Sequence, residues 1–191
     1  MIKAIIAHEP GGPEVMKVAE KALRAPGPQE VEIAVRAAGV NFIDIYQRTG
    51  LYKVEMPWVP GLEGAGEITA IGEGVASLKV GQHVAWASVA GSYAERVIAP
   101  AAKVVPVPDG LTFEQAAAAM LQGMTAQFLA TTTYALKPET RAWCTPQRVG
   151  VGLLLCQLAQ SCWGSWCGVD REKSRSGTSG GGRFGGALFD A

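Results

Sequence analysis

No cysteine precedes Cys144 in this 191-residue sequence, although the whole chain contains four. Histidine is also scarce, with His8 and His83 as its two examples. Thiolate and imidazole are preferred zinc ligands, so we expect no zinc site before Cys144. The four cysteines include no C-x-x-C pair and have no histidine nearby, which argues against a zinc site in the last part as well.

Excess charge and long apolar runs are also missing. Lys and Arg total 17, Asp and Glu total 17, and the formal net charge is +0, which excludes a polycationic nucleic-acid-binding protein. No apolar run approaches the length of a membrane-spanning helix. The short apolar stretch Met1–His8 lacks the basic segment and cleavage site of a signal peptide. We therefore expect a cytoplasmic protein without a nucleic-acid or membrane partner.

The pattern of apolar, Gly and Pro residues favours a β domain followed by an α/β region. Six short segments, several separated by Gly/Pro-rich stretches, are predicted strands: Lys3–His8, Glu30–Ala37, Gly66–Ile71, His83–Ala87, Tyr93–Ala99 and Val104–Val107. They indicate a partly closed antiparallel barrel. Thr112–Gln115 then has the form of a capping box and predicts a helix that continues to about Thr132. The domain boundary is expected near Gly123.

Two stretches of the β part contain the residues with chemical potential. Asn41, Asp44, Tyr46 and Arg48 offer an amide, a carboxylate, a phenol and a guanidinium within two helical turns. Asp44 and Arg48 are at i and i+4 and are expected to face each other, so a solvated helix face with one surface ion pair is an open alternative to a functional site. The second stretch, Pro60–Gly66, contains three glycines and predicts a tight turn with close backbone approach.

These stretches occur together with two further motifs in one order. The order is Gly-Val-Asn-Phe-Ile-Asp-x-Tyr-x-Arg-x-Gly, Pro-Gly-Leu-Glu-Gly-Ala-Gly, Gly-Ser-Tyr-Ala-Glu and Gly-Met-Thr-Ala. Across residues 1–140 the chain resembles the quinone oxidoreductase (zeta-crystallin-like) branch of the medium-chain dehydrogenase/reductase superfamily. The resemblance implies a GroES-like catalytic domain at 1–123 and the start of a Rossmann domain that binds NADPH at 124–191, with a substrate cleft between them.

The resemblance also implies roles for particular residues. By motif, the residues around the nicotinamide and substrate would be Asn41, Tyr46, Tyr52 and Thr125, with Asp44 and Arg48 supporting their loop. Gly150 and Gly152 would permit close approach of the cofactor pyrophosphate at a helix N-terminus. Zinc-dependent relatives have cysteine where Asn41 stands and histidine where Leu62 stands, so the resemblance implies chemistry without a metal.

The implied activity is hydride transfer from NADPH to a quinone, by a homodimer if the protein is full length. An enone or alkenal reductase of the same superfamily is an alternative, because an enone is also electrophilic. A non-catalytic binding or structural relative is a second alternative from a different class.

The last part of the sequence departs from the resemblance. Where the family has roughly Val-His-Ala-Ala-Ala-Gly-Gly-Val-Gly, this chain has Trp143–Gly152. Back-translating Trp143–Arg148 and dropping two nucleotides restores Val-His-Ala-Ala-Ala, and dropping one nucleotide in Ser161–Lys173 restores a series similar to the family's second Rossmann strand. We therefore expect compensating frameshifts or sequencing errors in 141–149 and 161–191, a truncated chain, and impaired cofactor binding by the sequence as written.

Overall fold

A computed structural model describes residues 1–137, 141–143, 150–163 and 166–168. The strands are β1 Ile2–Ile6, β2 Lys17–Lys21, β3 Glu30–Ala38, β4 Glu63–Ile71, β5 His83–Ala87, β6 Arg96–Pro100, β7 Val104–Pro106, β8 Arg141–Trp143 and β9 Trp166–Gly168. The helices are α1 Phe42–Arg48, α2 Phe113–Phe128 and α3 Val151–Trp163, with a π-helical turn at Leu129–Thr133. None of the helices described is long and apolar enough to cross a membrane.

The main β structure is a five-stranded antiparallel sheet in the order β6-β3-β4-β5-β7. β1 and β2 form a separate antiparallel hairpin. Ile5 donates its N–H to the carbonyl of Tyr93 at 2.8 Å, which places the hairpin against the segment that leads into β6. The predicted antiparallel strand pairing is confirmed, but among the described residues the predicted partly closed barrel appears as an open sheet with β6 and β7 as its edges.

Alternation along β5 explains how the sheet packs. Val84 and Trp86 are fully buried in the main apolar core, whereas Ala85, between them, belongs to a second cluster with Ala116 and Ala117 of α2. Successive side chains of a strand point to opposite faces, so the large residues fill one face and small ones allow α2 to approach the other. The sheet thereby positions the middle of α2 beside the end of β3 and the start of β4.

The start of α2 confirms the predicted capping box. Thr112 accepts a hydrogen bond from the Gln115 N–H at 3.2 Å, and the Gln115 side chain accepts from the Thr112 N–H at 2.9 Å. The helix continues through the π-helical turn to Thr133, close to the predicted end. The predicted boundary at Gly123 lies inside α2, and the division into two domains stays a prediction.

The region after α2 contains a β-α-β unit. β8 and β9 pair in parallel, with Arg141 opposite Trp166, and α3 lies between them in the chain. Parallel neighbours require such a crossover, so this unit gives the chain the mixed α/β character that the sequence predicts. Residues 138–140, 144–149, 164–165 and 169–191, which include most of the expected frameshifted sequence, lie outside the described residues.

Candidate active site around helix α1

Asp44 is the most enclosed polar side chain of α1, with only 7% of its surface exposed. Its Oδ2 accepts from the Asn41 N–H at 2.9 Å, in the manner of a capping box, and from the Tyr93 hydroxyl at 3.0 Å. Its Oδ1 accepts from the Gly61 N–H at 3.3 Å. Two backbone amides and a phenol therefore satisfy the carboxylate.

The expected ion pair between Asp44 and Arg48 is wrong. Arg48 donates from its guanidinium to the Gly11 carbonyl at 2.7 Å, and Gly11 donates its N–H back to the Arg48 carbonyl at 2.9 Å. The spacing of four residues puts the two side chains near one another on a helix surface, but it does not determine which groups each side chain binds. Here Asp44 accepts from the loop at Gly61 and Arg48 donates to the loop after β1. Their supporting role in a functional site stays a prediction.

Gly61 explains why the loop can reach Asp44. Its φ is +88°, a region that L side chains rarely adopt, and a Cβ there would lie 2.6 Å from Cδ1 of the Tyr93 ring. The absence of a side chain therefore lets the Gly61 N–H and the Tyr93 hydroxyl meet at the same carboxylate. The close backbone approach predicted for Pro60–Gly66 is present at Gly61, whereas Glu63–Gly66 of that stretch belong to strand β4 and not to a turn.

The pKa of Tyr93 is raised above its ordinary value. Burial is the largest cause, followed by the charge of Asp44 and by the hydrogen bond to that carboxylate, with a smaller contribution from Glu63. Ionising the phenol would remove the donated proton and place two negative charges side by side. Tyr93 is therefore a neutral donor in the folded protein.

Tyr93→Phe is expected to lower the free energy of unfolding by about 1.5 kcal/mol at neutral pH, because one hydrogen bond to a carboxylate is lost. The wild type should also lose stability above about pH 10, where tyrosine ionises in the unfolded chain but Tyr93 stays protonated in the folded one. Urea unfolding of both proteins from pH 7 to 11 measures this. If the free energy of unfolding changes with pH equally in the wild type and in Tyr93→Phe above pH 10, the raised pKa of Tyr93 is contradicted.

Asn41 is at the N-terminus of α1, and its side chain is fixed from two sides. Its Nδ2 donates to Glu63 Oε1 at 2.8 Å, and its Oδ1 accepts from Gln122 Nε2 at 2.8 Å. Glu63 is fully buried, and its Oε2 accepts from the backbone N–H of Leu121 at 2.6 Å. We call the side chains of Glu63, Asn41 and Gln122, together with the Leu121 N–H, the Glu63 network.

The Glu63 network borders a small cavity of about 250 Å³. Its wall includes the end of β3, Gly39, Val40 and the part of α2 with the buried Ala117 and the exposed Ala118. Gln122 also lines the cavity, so a ligand in it would contact this member of the Glu63 network. The sequence prediction did not include Glu63, Gln122 or Tyr93 in the site.

Tyr46 of α1 and Tyr52, which follows the helix in the chain, form an exposed aromatic pair. Their ring centroids are 5.5 Å apart in an edge-on arrangement, and the Tyr52 N–H donates to the Tyr46 carbonyl at 3.0 Å. Phe42 lies 6.5 Å from the Tyr46 ring and has 74% of its surface exposed. Exposed rings on a helix that also presents a fixed amide are suited to a flat, partly polar ligand.

The predicted cofactor residues lie on α2 and at the start of α3. Thr125 is exposed and donates its hydroxyl to the Leu121 carbonyl at 2.7 Å, which places it one turn beyond the Glu63 network. Gly150 has φ +54° and accepts from the Leu154 N–H at 3.3 Å, and Gly152 is buried in the first turn of α3. A Cβ on Gly150 would lie 3.2 Å from Gln122 Cγ, so the start of α3 is close to the Glu63 network.

Within the described part of the chain, no three His, Cys, Asp or Glu side chains are close enough to bind a metal ion. A family model of the alcohol dehydrogenase GroES-like domain matches residues 27–109, which include β3 to β7 and α1. The fold and the family match thus define a chain with an alcohol dehydrogenase GroES-like domain, followed by an α/β region.

Particular relatives narrow this class. A quinone oxidoreductase of Pseudomonas aeruginosa is 44% identical over 163 residues, covering 84% of this chain and 50% of that protein. A solved structure of a Pseudomonas syringae quinone oxidoreductase matches with a TM-score of 0.83 and 41% sequence identity, and the match covers 87% of this chain and 52% of that one. The Escherichia coli quinone oxidoreductase complexed with NADPH also has a TM-score of 0.83, with 36% sequence identity, and the match covers 86% of this chain and 51% of that one.

The chain belongs to the quinone oxidoreductase branch of the medium-chain dehydrogenase/reductase superfamily. It spans about half the length of the curated relatives it matches. The fold class predicted from the sequence is confirmed by these matches.

Proposed function

We propose that this protein takes part in hydride transfer from NADPH to a quinone. The observation that carries the proposal is the fixed Asn41 amide at the N-terminus of α1, the helix that also carries the exposed Tyr46 ring paired with Tyr52, in a chain homologous to quinone oxidoreductases. One of those relatives was crystallised with NADPH. An amide and two aromatic rings suit a flat acceptor that carries carbonyl oxygens, as quinones do.

The residues near α3 fit NADPH. Gly150, just before the 13-residue helix α3, and Gly152, in its first turn, place no side chain at those two positions, and helix N-termini favour phosphate groups. When bound, the cofactor supplies the hydride, and the protein contributes position and electrostatics. In this proposal Thr125 contacts the nicotinamide end with its hydroxyl, while Asn41 positions the reacting groups.

The aromatic residues have a separate role in the proposal. Tyr46 and Tyr52 contact the flat face of the quinone and exclude water from the place where hydride is transferred. Asp44 and Arg48 keep α1 in place through the contacts with Gly61, Tyr93 and Gly11. A catalytic domain at 1–123, a cofactor domain at 124–191, a homodimer and a cytoplasmic location complete the proposal.

Fluorescence titration with NADPH tests the cofactor assignment. The chain as written is compared with a variant in which residues 144–149 are replaced by Val-His-Ala-Ala-Ala-Gly, the series expected from the family. Small residues allow closer approach to phosphate, so we expect the variant to bind at least about tenfold more tightly. Absence of binding by both proteins would contradict the proposal.

Turnover by the tighter-binding protein separates the remaining alternatives. We expect NADPH oxidation with a benzoquinone to be faster than with an α,β-unsaturated ketone. The reverse order would identify an enone reductase, and NADPH binding without turnover of either acceptor would identify a non-catalytic relative.

A further inference from the structure

In the Glu63 network, each group is fixed as a donor or an acceptor by its neighbour, starting from a backbone N–H. The Leu121 N–H is a donor that cannot be reversed, and it faces Glu63 Oε2 at 2.6 Å. A carboxylate oxygen is an acceptor, so the other oxygen of Glu63 takes a donor from Asn41, and Nδ2 supplies it at 2.8 Å. Asn41 must then turn Oδ1 towards Gln122.

The orientation of Asn41 in turn determines which end of the Gln122 amide faces it. Asn41 Oδ1 requires a donor, and Gln122 Nε2 fills this position at 2.8 Å. Gln122 Oε1 is consequently turned to a buried position where no described residue donates to it. Reversing Gln122 alone would place two acceptors face to face, so the orientation of both amides follows from the carboxylate.

We propose that Glu63 is a positioning residue that fixes the orientation of the Asn41 amide and, through it, that of Gln122. The inference rests on the proposed function for its effect on ligand binding, because Asn41 is the residue that would contact the reacting groups. Glu63 itself is fully buried and acts only through its neighbours.

Glu63→Gln separates positioning from simple structural support. The glutamine has almost the same shape, and its Oε1 must face the Leu121 N–H, which leaves its Nε2 facing Asn41. Asn41 then has to reverse to present Oδ1, and Gln122 has to reverse in turn. The variant keeps each contact of the network but exchanges donor and acceptor along it.

Exchanging two residues provides a second, compensated variant. Gln122→Glu alone places carboxylates on both sides of Asn41, whose amide has one donor side for two acceptors. In Glu63→Gln/Gln122→Glu, the new amide at position 63 donates to Asn41, and Asn41 donates to the new carboxylate at position 122, so the bonds are restored in the opposite direction. We expect the double variant to have a higher Tm than Gln122→Glu, whereas additive Tm changes would overturn the coupling.

Side-chain amide signals in ¹H–¹⁵N NMR spectra of the full chain report the orientation directly. The Asn41 NH₂ pair should shift in both Glu63→Gln and the double variant, and the Gln122 pair should shift in Glu63→Gln, where that amide is still present. Both pairs should stay in place in the control Glu67→Gln, which removes a charge from the same strand outside the Glu63 network. Unchanged Asn41 signals in both Glu63 variants would overturn the proposal.

NADPH titration of the same proteins measures the effect on the site. We expect the double variant to bind about tenfold more weakly than the wild type, the loss that follows from one reversed hydrogen bond, and Glu67→Gln to bind equally well. Equal binding by the double variant and the wild type would overturn the positioning role alone. No binding by the wild type would overturn the role of Glu63 in NADPH binding by this chain, and no binding by the variant at 144–149 as well would overturn the proposed function.

Discussion

Asp44→Ala is expected to lower the free energy of unfolding by about 4 kcal/mol, because buried donors lose their acceptor. The N–H groups of Asn41 and Gly61 and the hydroxyl of Tyr93 converge on this carboxylate, which has 7% of its surface exposed. Each buried donor left unsatisfied costs about 1–3 kcal/mol, and the Gly61 bond of 3.3 Å contributes least. Urea unfolding followed by tryptophan fluorescence measures the loss.

Two companion variants make this result specific. Asp44→Asn keeps one acceptor oxygen for Asn41 and Tyr93 but turns an NH₂ group towards Gly61, so about half the loss is expected. Asp109→Ala removes an exposed carboxylate from the loop before α2 and should change stability by less than about 0.5 kcal/mol. A loss for Asp44→Ala no larger than that of Asp109→Ala would show that Asp44 does not organise α1.

Local sequence signals predicted the elements that depend on local chemistry. His83–Ala87 has the same bounds in the prediction and in the structure, because Val84 and Trp86 have a high preference for strands and alternate with small apolar residues. Thr112 and Gln115 fixed the start of α2 through a capping box that needs only four residues. The prediction missed β2, Lys17–Lys21, because none of its residues is buried and the chain shows little apolar alternation there.

Contacts between distant parts of the chain decided what the sequence could not show. Helical spacing related Asp44 to Arg48, but Asp44 is bound by groups 17 and 49 residues further along the chain, at Gly61 and Tyr93. No local pattern reports a partner at that separation. The family resemblance implied a supporting role for Asp44, which stays a prediction, whereas its burial came only from the structure.

Glu63 and Gln122 were missed for a related reason. A charged residue at the start of a strand normally indicates solvent, whereas Glu63 is fully buried because Asn41 and the Leu121 N–H satisfy it. One signal was present in the sequence, since Glu63 lies between glycines in Pro60–Gly66. A carboxylate in a glycine-rich turn that leads into a buried strand merits inclusion in a candidate site.

Gly39→Ala is expected to lower the free energy of unfolding by about 3 kcal/mol and to displace Glu63. A Cβ at Gly39 would overlap Oε1 and Cγ of Glu63 and would lie 2.5 Å from its Cδ. The Glu63 side chain cannot move away without losing contacts, because its carboxylate accepts hydrogen bonds from Asn41 and from the Leu121 N–H in a site closed to solvent. Overpacking of this kind costs about 1–3 kcal/mol, and loss of a buried hydrogen bond adds to it.

Gly123→Ala is the matched control, because it makes the same chemical change with the opposite expected sign. Gly123 lies inside α2, where a new Cβ would be 3.9 Å from Leu154 Cδ1, an ordinary contact. Alanine in a helix interior is favoured over glycine, so this variant should gain about 0.5–1 kcal/mol. Urea unfolding gives both values, and the NH₂ signals of Asn41 should move only in Gly39→Ala. If Gly39→Ala is as stable as the wild type and leaves those signals unchanged, then Gly39 is not what makes room for the carboxylate that orients Asn41.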